Sequence, residues 1–413
     1  MYSNAFWMMA EKFVSIIGLI FVNSYMAKYI GPYDFGRITF AATIFTFVQT
    51  LSWFGGQNVL FKRMSEKRCS GIAMALSTQH LRRTLFIFSS LVALVYLYFC
   101  ADTITFVFGV ANCAATYFMV MDFFATYNNT QLKSKLNTLT NIVGLLVAFS
   151  ARFIITYYKL PVVFFSIPVF LIPAIPYFMR KAYFHREIGK RRILYKNIRR
   201  YRRYLVTTGC ALILSTLSIV IYSQISNIFL ARILSFTQLG IYNIAMTIGT
   251  AWSFVVIALI TSFFTKIYEA NDPKEVARLL KIVNQLVIVI SLFALIGFII
   301  FGHFFIKTLY GVSYIEAEKI VPIIIVATMF SALGTICYRY MIKYSGYRYL
   351  SYKMSFTCVL SIPLSYYMIN NYGVMGAAYC FLIIEIVSCT IFNYFFHCGV
   401  VLKMHLSIFK FLN

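Results

Sequence analysis

Long apolar stretches constrain this chain more than any other feature of its sequence. Twelve of them recur along the whole length, and most approach the roughly 20 residues with which a helix crosses a ~30 Å hydrocarbon layer. They are 4–27, 38–61, 84–100, 104–127, 138–158, 162–179, 204–230, 241–264, 282–302, 320–338, 354–370 and 374–396. Because backbone groups in lipid bond within their own segment, and no period-two alternation is present, these stretches predict the helices of an all-α polytopic membrane protein.

The sequence also repeats itself after 204 residues. The segment AKYIGPYDFGRITFAAT at 27–43 returns as ARILSFTQLGIYNIAMT at 231–247, with four identities in 17 positions. Just upstream, Asn23 matches Asn227. Six spans separate the two copies, so both cross the membrane in the same direction and form a parallel repeat. The predicted architecture is twelve transmembrane helices in two six-helix bundles with a parallel pseudo-two-fold relation.

Basic residues indicate the orientation and the domain boundaries. The connections after even-numbered spans and the C-terminal tail hold 29 of the 37 Lys and Arg, whereas those after odd-numbered spans hold six. By the positive-inside rule, the 29 lie in the cytoplasm together with both termini. The densest run, 180–203, predicts a basic linker over 182–203 between bundles over 1–181 and 204–413. Because the net charge of +25 lies at inner helix ends, no nucleic acid is expected as a partner.

One inner connection carries its own helix-start signal. Asp272 is suited to cap a helix, Pro273 to occupy its first position, and Glu275 lies three residues past the cap. We expect an amphipathic helix along the inner surface from this point, with Val276, Leu279 and Leu280 on its apolar side.

Cysteine and histidine positions give no sign of a metal site. The nine cysteines are scattered mostly within spans and include no CxxC pair, and the five histidines fall in separate loops or helix ends. No catalytic triad or phosphate-cradling loop is present either. The sequence therefore predicts a protein that is not an enzyme, with no metal and no cofactor.

Two motifs and the span count identify a resemblance to a known family. They are IGPYDFG at 30–36, with a weaker echo at 234–240, and GVSYIEAEKIVPIII at 311–325, which leads into the tenth span. With twelve helices in two sixes, the chain resembles the polysaccharide-exporting branch of the multidrug/oligosaccharidyl-lipid/polysaccharide (MOP) exporter superfamily. Within that branch, its size and lack of appended domains are similar to the Wzx-type O-antigen flippases.

The resemblance implies a two-lobed protein of the bacterial inner membrane. It would move an undecaprenyl-pyrophosphate-linked oligosaccharide from the cytoplasmic to the periplasmic leaflet by alternating access, through a hydrated central cavity between the lobes. Its partners would be that polyprenyl-pyrophosphate-linked oligosaccharide, membrane lipid and other O-antigen assembly proteins.

Ionisable residues within spans are the default functional candidates, because a charge at mid-bilayer costs more than ~2.5 kcal/mol unless it faces protein or water. There are five, and they carry a net charge of −1: Glu11, Lys12, Asp122, Arg152 and Glu385. A pyrophosphate site should be cationic instead. Either Arg339, Lys343 or Lys62 reaches in from the inner rim, or some of the carboxylates are protonated or paired.

Each candidate has a functional and a structural interpretation. Lys12 would bind pyrophosphate or extend to the inner head groups. Arg152 would bind a phosphate or pair with Asp122 or Glu385. Glu385 would carry a proton or cation, or pair with a basic residue.

The repeated asparagines are the remaining candidates. Asn23 and Asn227 would bond sugar hydroxyls while facing each other across the pseudo-axis, or make helix-to-helix hydrogen bonds.

Three rival functions remain open at this stage. A cation-coupled multidrug antiporter of the same superfamily would use Glu11 and Glu385 to exchange Na⁺ or H⁺. An O-antigen polymerase or ligase would need a larger outer loop than the longest one here, about 303–319. A membrane scaffold would have no need for paired halves.

Overall fold

The computed structural model describes residues 2–188, 198–270, 272–344 and 346–408. Within these ranges the chain forms α-helices joined by short turns, and no strand occurs. The N-terminal helices are α1 (Tyr2–Trp53), α2 (Gly56–Glu66), α3 (Arg68–Ser77), α4 (Gln79–Cys100), α5 (Thr103–Met121), α6 (Phe123–Thr130), α7 (Ser134–Tyr157) and α8 (Ser166–Ile188). The C-terminal helices are α9 (Ile198–Phe229), α10 (Phe236–Ala251), α11 (Ser253–Glu269), α12 (Pro273–Leu309), α13 (Ala317–Lys343), α14 (Tyr347–Cys389), α15 (Ile391–Tyr394) and α16 (Val400–Ile408).

Nine helical stretches of the described chain are long and apolar enough to cross a membrane. They match predicted spans three to twelve, because Arg348–Tyr394 contains the last two spans together. The first predicted span lies in the first limb of α1, whereas the second, 38–61, begins in the second limb and continues past a break at Gly55 into α2. The prediction of an all-α polytopic membrane protein is confirmed.

Backbone contacts divide the chain into two compact units, Met1–Gln224 and Ile225–Asn413. The division falls inside α9. The predicted linker lies largely outside the described ranges, so the boundaries over 1–181, 182–203 and 204–413 stay a prediction.

Glycines with positive φ break α1 and α14 into two limbs each. Gly31 has φ 77° and ψ 171° inside α1, and Gly373 has φ 60° and ψ −138° inside α14, so each element consists of two helices. In α14 the two limbs fold back on each other, since Ser365 Oγ lies 3.1 Å from Cys380 Sγ. In line with this, Lys353 of the first limb donates to Asn393 of α15 at 2.8 Å. A side chain at either φ would be strained, which explains the choice of glycine.

The helix-start signal at Asp272 is confirmed, but the predicted surface helix is not separate. The Asp272 carboxylate accepts a hydrogen bond of 3.0 Å from the Lys274 amide, and Pro273 begins α12. The helix then continues without a break for 37 residues to Leu309. Val276 and Leu280 are buried in a hydrophobic cluster formed by α11 to α14 and the helices after them. Packing of this apolar side against its own unit extends the span inward by about two turns.

The IGPYDFG motif lies at the Gly31 break in unit 1. Arg37 forms ion pairs of 2.8 Å with both Asp34 and Asp102. Asp102 precedes the first residue of α5, so the motif ties the break in α1 to the turn between α4 and α5. The echo of the motif contains Gln238, which donates to Glu316 at 3.4 Å. The motif is thus explained by contacts between loops.

Candidate functional site

Arg152 of α7 and Asn23 of α1 are in direct contact. The guanidinium donates a hydrogen bond to the Asn23 side-chain oxygen, and its Nε is buried with no hydrogen-bond partner among the described residues. The guanidinium carbon lies 6.0 Å from the centre of the Phe149 ring. Two of the predicted candidates, 129 residues apart in sequence, are therefore brought together in one unit.

Small residues and local hydrogen bonds hold this arrangement. A Cβ added to Gly18 would lie 1.8 Å from the Phe149 ring, so the glycine allows that ring to pack closely on α1. Thr156 donates to the Arg152 carbonyl at 2.8 Å. On the neighbouring turn, Tyr25 and Phe153 stack with their centroids 5.7 Å apart. The guanidinium is thus supported by an aromatic ring on one side and an amide on another.

The charge of Arg152 is not neutralised by a side chain that the structure describes in unit 1. No carboxylate there lies within salt-bridge distance of it. A guanidinium offers five donors in a planar fork that matches the geometry of phosphate or carboxylate oxygens. A partly buried, oriented guanidinium with no carboxylate partner among the described side chains of unit 1 is chemically suited to bind an anion.

Asp122 pairs with Arg180 and not with Arg152. Its carboxylate accepts from Arg180 of α8, and both side chains are buried. Arg180 also donates to Thr140 at 3.1 Å and to Asn141. Asp122 in addition caps α6, accepting from the Ala125 amide at 3.2 Å. In unit 1, Asp122 is thus a paired carboxylate, and its pairing with Arg152 is not observed.

Arg82 is a second buried arginine in unit 1. Its side chain has no exposed surface, and it donates to the carbonyls of Val120 at 3.0 Å and Ala75 at 3.1 Å. The guanidinium lies over the Trp53 ring at 4.9 Å. Carbonyl dipoles and an aromatic face therefore stabilise this cation, in place of a carboxylate.

Glu187 organises the end of α8 near the surface. It accepts from Arg68 at 2.9 Å and from Lys133 at 2.7 Å. The hydrogen bond to Glu187 raises the pKa of Lys133, a residue between α6 and α7. The acidic residue of the basic run therefore joins α8 to α3 and to the turn before α7.

Glu385 of unit 2 is a buried carboxylate in the second limb of α14. Ser331 of α13 lies close enough to it to stabilise its charged form. Lys353 attracts it electrostatically, but within the described part of unit 2 no Lys or Arg forms an ion pair with it. Lys353 instead donates to Asn393 at 2.8 Å and is itself buried. Glu385 is therefore a buried carboxylate with no direct counter-ion among the described residues of unit 2.

Asn227 contacts a helix of its own unit. Its oxygen accepts from the Asn243 amide at 3.4 Å, and Asn243 also donates to the Leu239 carbonyl at 3.0 Å. Asn23 and Asn227 thus both take part in contacts between helices. Their facing each other across a pseudo-axis stays a prediction.

The side chains of Glu11 and Lys12 lie outside those that the structure describes, although the backbone of both belongs to α1. Their roles stay predictions.

The family of the chain follows from a comparison with known protein families. A family model described as "Polysaccharide biosynthesis protein" matches residues 1–264, more than half of the chain. The chain belongs to this polysaccharide biosynthesis family. A search of curated proteins returned no match.

Solved structures show which fold this member of the polysaccharide biosynthesis family has. One, named "Lipid II flippase MurJ, inward closed conformation", has a TM-score of 0.74 at 14% identity, covering 99% of this chain and 90% of that chain. An outward-facing multidrug resistance MATE family transporter of the MOP superfamily has a TM-score of 0.64 at 12% identity, covering 98% and 94%. A MOP superfamily transporter from Pyrococcus furiosus gives the same four values. The predicted MOP exporter fold is confirmed.

The buried charges of this family member differ from the set predicted from its sequence. Arg82, Arg180 and Lys353 are buried cations that sequence reasoning placed in loops at the inner ends of spans. With Asp122 paired, the described buried charge of unit 1 is net positive. Each missed cation lies within a helix that continues into an apolar span. That position in the sequence could have indicated that the cation is buried.

Proposed function

We propose that the chain is a flippase that moves undecaprenyl-pyrophosphate-linked O-antigen repeat units across the bacterial inner membrane. Membership of the polysaccharide biosynthesis family supports a role in polysaccharide assembly. The similar fold of the lipid II flippase supports a transporter for a lipid-linked substrate. In this proposal both termini lie in the cytoplasm, and transport involves no making or breaking of bonds in the substrate.

The observation that carries the proposal is the hydrogen bond from the Arg152 guanidinium to the Asn23 side chain. The substrate has a pyrophosphate that joins a polar oligosaccharide to a polyprenyl tail, and the tail remains in lipid. A partly buried arginine on a helix apolar enough to cross a membrane supports binding of that pyrophosphate, since an amide orients it and no described carboxylate of unit 1 pairs with it. Asn23 would orient the guanidinium, and the aromatic rings of Tyr25 and Phe153 would offer faces for sugar rings.

A second candidate is a cation-coupled multidrug antiporter with the same fold. The observation in its favour is Glu385, a buried carboxylate with no ion-pair partner among the described cations of unit 2. Such a group would take up and release a proton or Na⁺ during transport. Glu385 would serve equally in a flippase that is driven by a cation. The two candidate functions therefore differ in their substrate, and Glu385 does not distinguish them.

Deletion of the gene in its own host separates the two candidates. For the flippase, surface O-polysaccharide is lost, and single lipid-linked repeat units accumulate on the inner leaflet. A plasmid copy restores surface chains. For the antiporter, surface chains stay normal while cation-driven efflux of small dyes falls. Normal surface polysaccharide in the deletion strain would overturn the flippase proposal.

A further inference from the structure

Three side chains with metal-binding chemistry meet in unit 2, and one of them lies a helical turn beyond Glu385 on α14. They are Cys337 of α13, Cys389 at the end of α14 and His405 of α16. Their ligand atoms all lie within 4.8 Å of one another. The Cys337 sulfur and His405 Nε2 are in direct contact at 3.3 Å. The sequence predicted no metal site because these residues have no short spacing, and helix packing alone brings them together.

The imidazole of His405 is oriented by a second contact. Its Nδ1 lies 3.2 Å from the Tyr394 hydroxyl. With the ring proton on Nδ1 and donated to that hydroxyl, the Nε2 lone pair is directed toward Cys337. Histidine ligands in metalloproteins almost always have such a partner on the other ring nitrogen, because it fixes both tautomer and ring orientation.

The two sulfurs lie in an enclosed site. Cys337 and Cys389 have exposed fractions of 0% and 1%, whereas His405 is partly exposed and opens the cluster toward the surface. Apolar residues of the surrounding cluster, including Ile336 and Met341, have no exposed surface.

We propose that Cys337, Cys389 and His405 bind a Zn²⁺ ion. Two thiolates and one imidazole are preferred zinc ligands, and three protein ligands with an open fourth position are a common zinc arrangement. With Zn–S of about 2.3 Å and Zn–N of about 2.0 Å, ligand atoms of a tetrahedral site lie roughly 3.4–3.8 Å apart. The cluster, with separations up to 4.8 Å, needs only a small contraction of side chains. A bound ion would tie α16 to α13 and α14.

The test uses the full chain, purified in detergent with and without added Zn²⁺. The metal content is measured by mass spectrometry, and Co²⁺ is used as a spectroscopic probe for thiolate ligation. We expect about one Zn²⁺ per chain, a thiolate-to-Co²⁺ absorption band, and a thermal midpoint that rises with Zn²⁺ and falls after chelation. Mg²⁺ should have no such effect, because it binds oxygen ligands.

Variants separate this site from adventitious binding. Cys337→Ser and His405→Gln should each lose the Co²⁺ band and most of the bound Zn²⁺. Cys380→Ser is the matched control, since Cys380 is buried in α14 but contacts Ser365 instead of the cluster. Because His405 is partly exposed, His405→Gln keeps the test valid even if Cys337→Ser does not fold.

Three results would overturn the proposal. The first is less than about 0.1 Zn²⁺ per chain in folded wild-type protein at micromolar Zn²⁺. The second is unchanged binding in His405→Gln. The third is a Cys337–Cys389 disulfide in protein isolated with its thiols blocked at lysis. Each of these readouts is independent of transport, so the proposal does not depend on the flippase assignment.

Discussion

Arg180 of α8 donates to the carboxylate of Asp122, and the two side chains form a buried ion pair that fastens α8 to the start of α6. Their exposed fractions are 6% and 9%, so water screens the pair very little. Arg180 is completed by Thr140 and Asn141 of α7. The pair therefore links three consecutive helical segments of unit 1, and it removes Asp122 from the charges available to a ligand.

We expect Asp122→Ala to destabilise unit 1 strongly. Removing one partner of a buried ion pair leaves the other charge uncompensated, at a typical cost of about 3–5 kcal/mol. The measurement is thermal unfolding of the purified protein in detergent. Glu66→Ala is the matched control, because Glu66 and Lys62 are exposed, 4.0 Å apart, and should contribute little. An Asp122→Ala protein as stable as the control would contradict the structural assignment of this pair.

Arg152→Ala should reduce export of surface polysaccharide by at least about tenfold, since a charge-assisted hydrogen bond contributes about 1.5–3 kcal/mol. Arg152→Lys keeps the charge and should retain more activity. Asn23→Ala should give an intermediate loss, because the guanidinium keeps its charge but loses its orientation. Export is measured by complementation of the deletion strain.

The control for Arg152 is Lys307→Ala. This substitution removes an exposed cation in the last turn of α12 and should leave export normal. All variants are compared at equal amounts in the membrane. Full activity of both Arg152 variants would remove this residue from the site.

Gly376→Ala should destabilise the hairpin of α14. A Cβ at Gly376 would lie 1.9 Å from the Met368 carbonyl oxygen, and a backbone atom cannot move aside without separating the limbs. Gly297→Ala in α12 is the matched substitution, because nothing lies within 4 Å of the added Cβ. Its thermal midpoint should be unchanged or slightly higher, since alanine favours helix. Equal midpoints for the two variants would contradict the close approach of the limbs.

Two native cysteines test the predicted orientation. Cys69 of α3 and Cys100 at the end of α4 are both exposed, and the topology places Cys69 inside and Cys100 outside. In intact spheroplasts, a membrane-impermeant maleimide should label Cys100 and leave Cys69 unlabelled. Inverted vesicles should give the opposite result.

The contribution of each cysteine is found by subtraction, with Cys100→Ala and Cys69→Ala compared with the wild type. If the Cys69→Ala substitution abolished spheroplast labelling and Cys100→Ala left it unchanged, the predicted orientation would be reversed.

The sequence by itself determined the class of fold and the positions of most helices. Apolar run length is a local property, and a segment that must satisfy its backbone groups in lipid has little choice but to form a helix. The same reasoning found Arg152 and Glu385, because a charged residue inside an apolar run is visible without knowledge of its neighbours.

Only the tertiary structure decided which partners these charges have. Asn23 and Arg152 lie 129 residues apart, and Asp122 and Arg180 lie 58 apart, so no local pattern indicates either contact. The burial of Arg82, Arg180 and Lys353, and the meeting of two cysteines with His405, likewise depend on which helix faces pack together. The physical reason is that hydropathy specifies which segments enter the membrane, whereas the packing of one helix on another selects which polar groups end up within bonding distance.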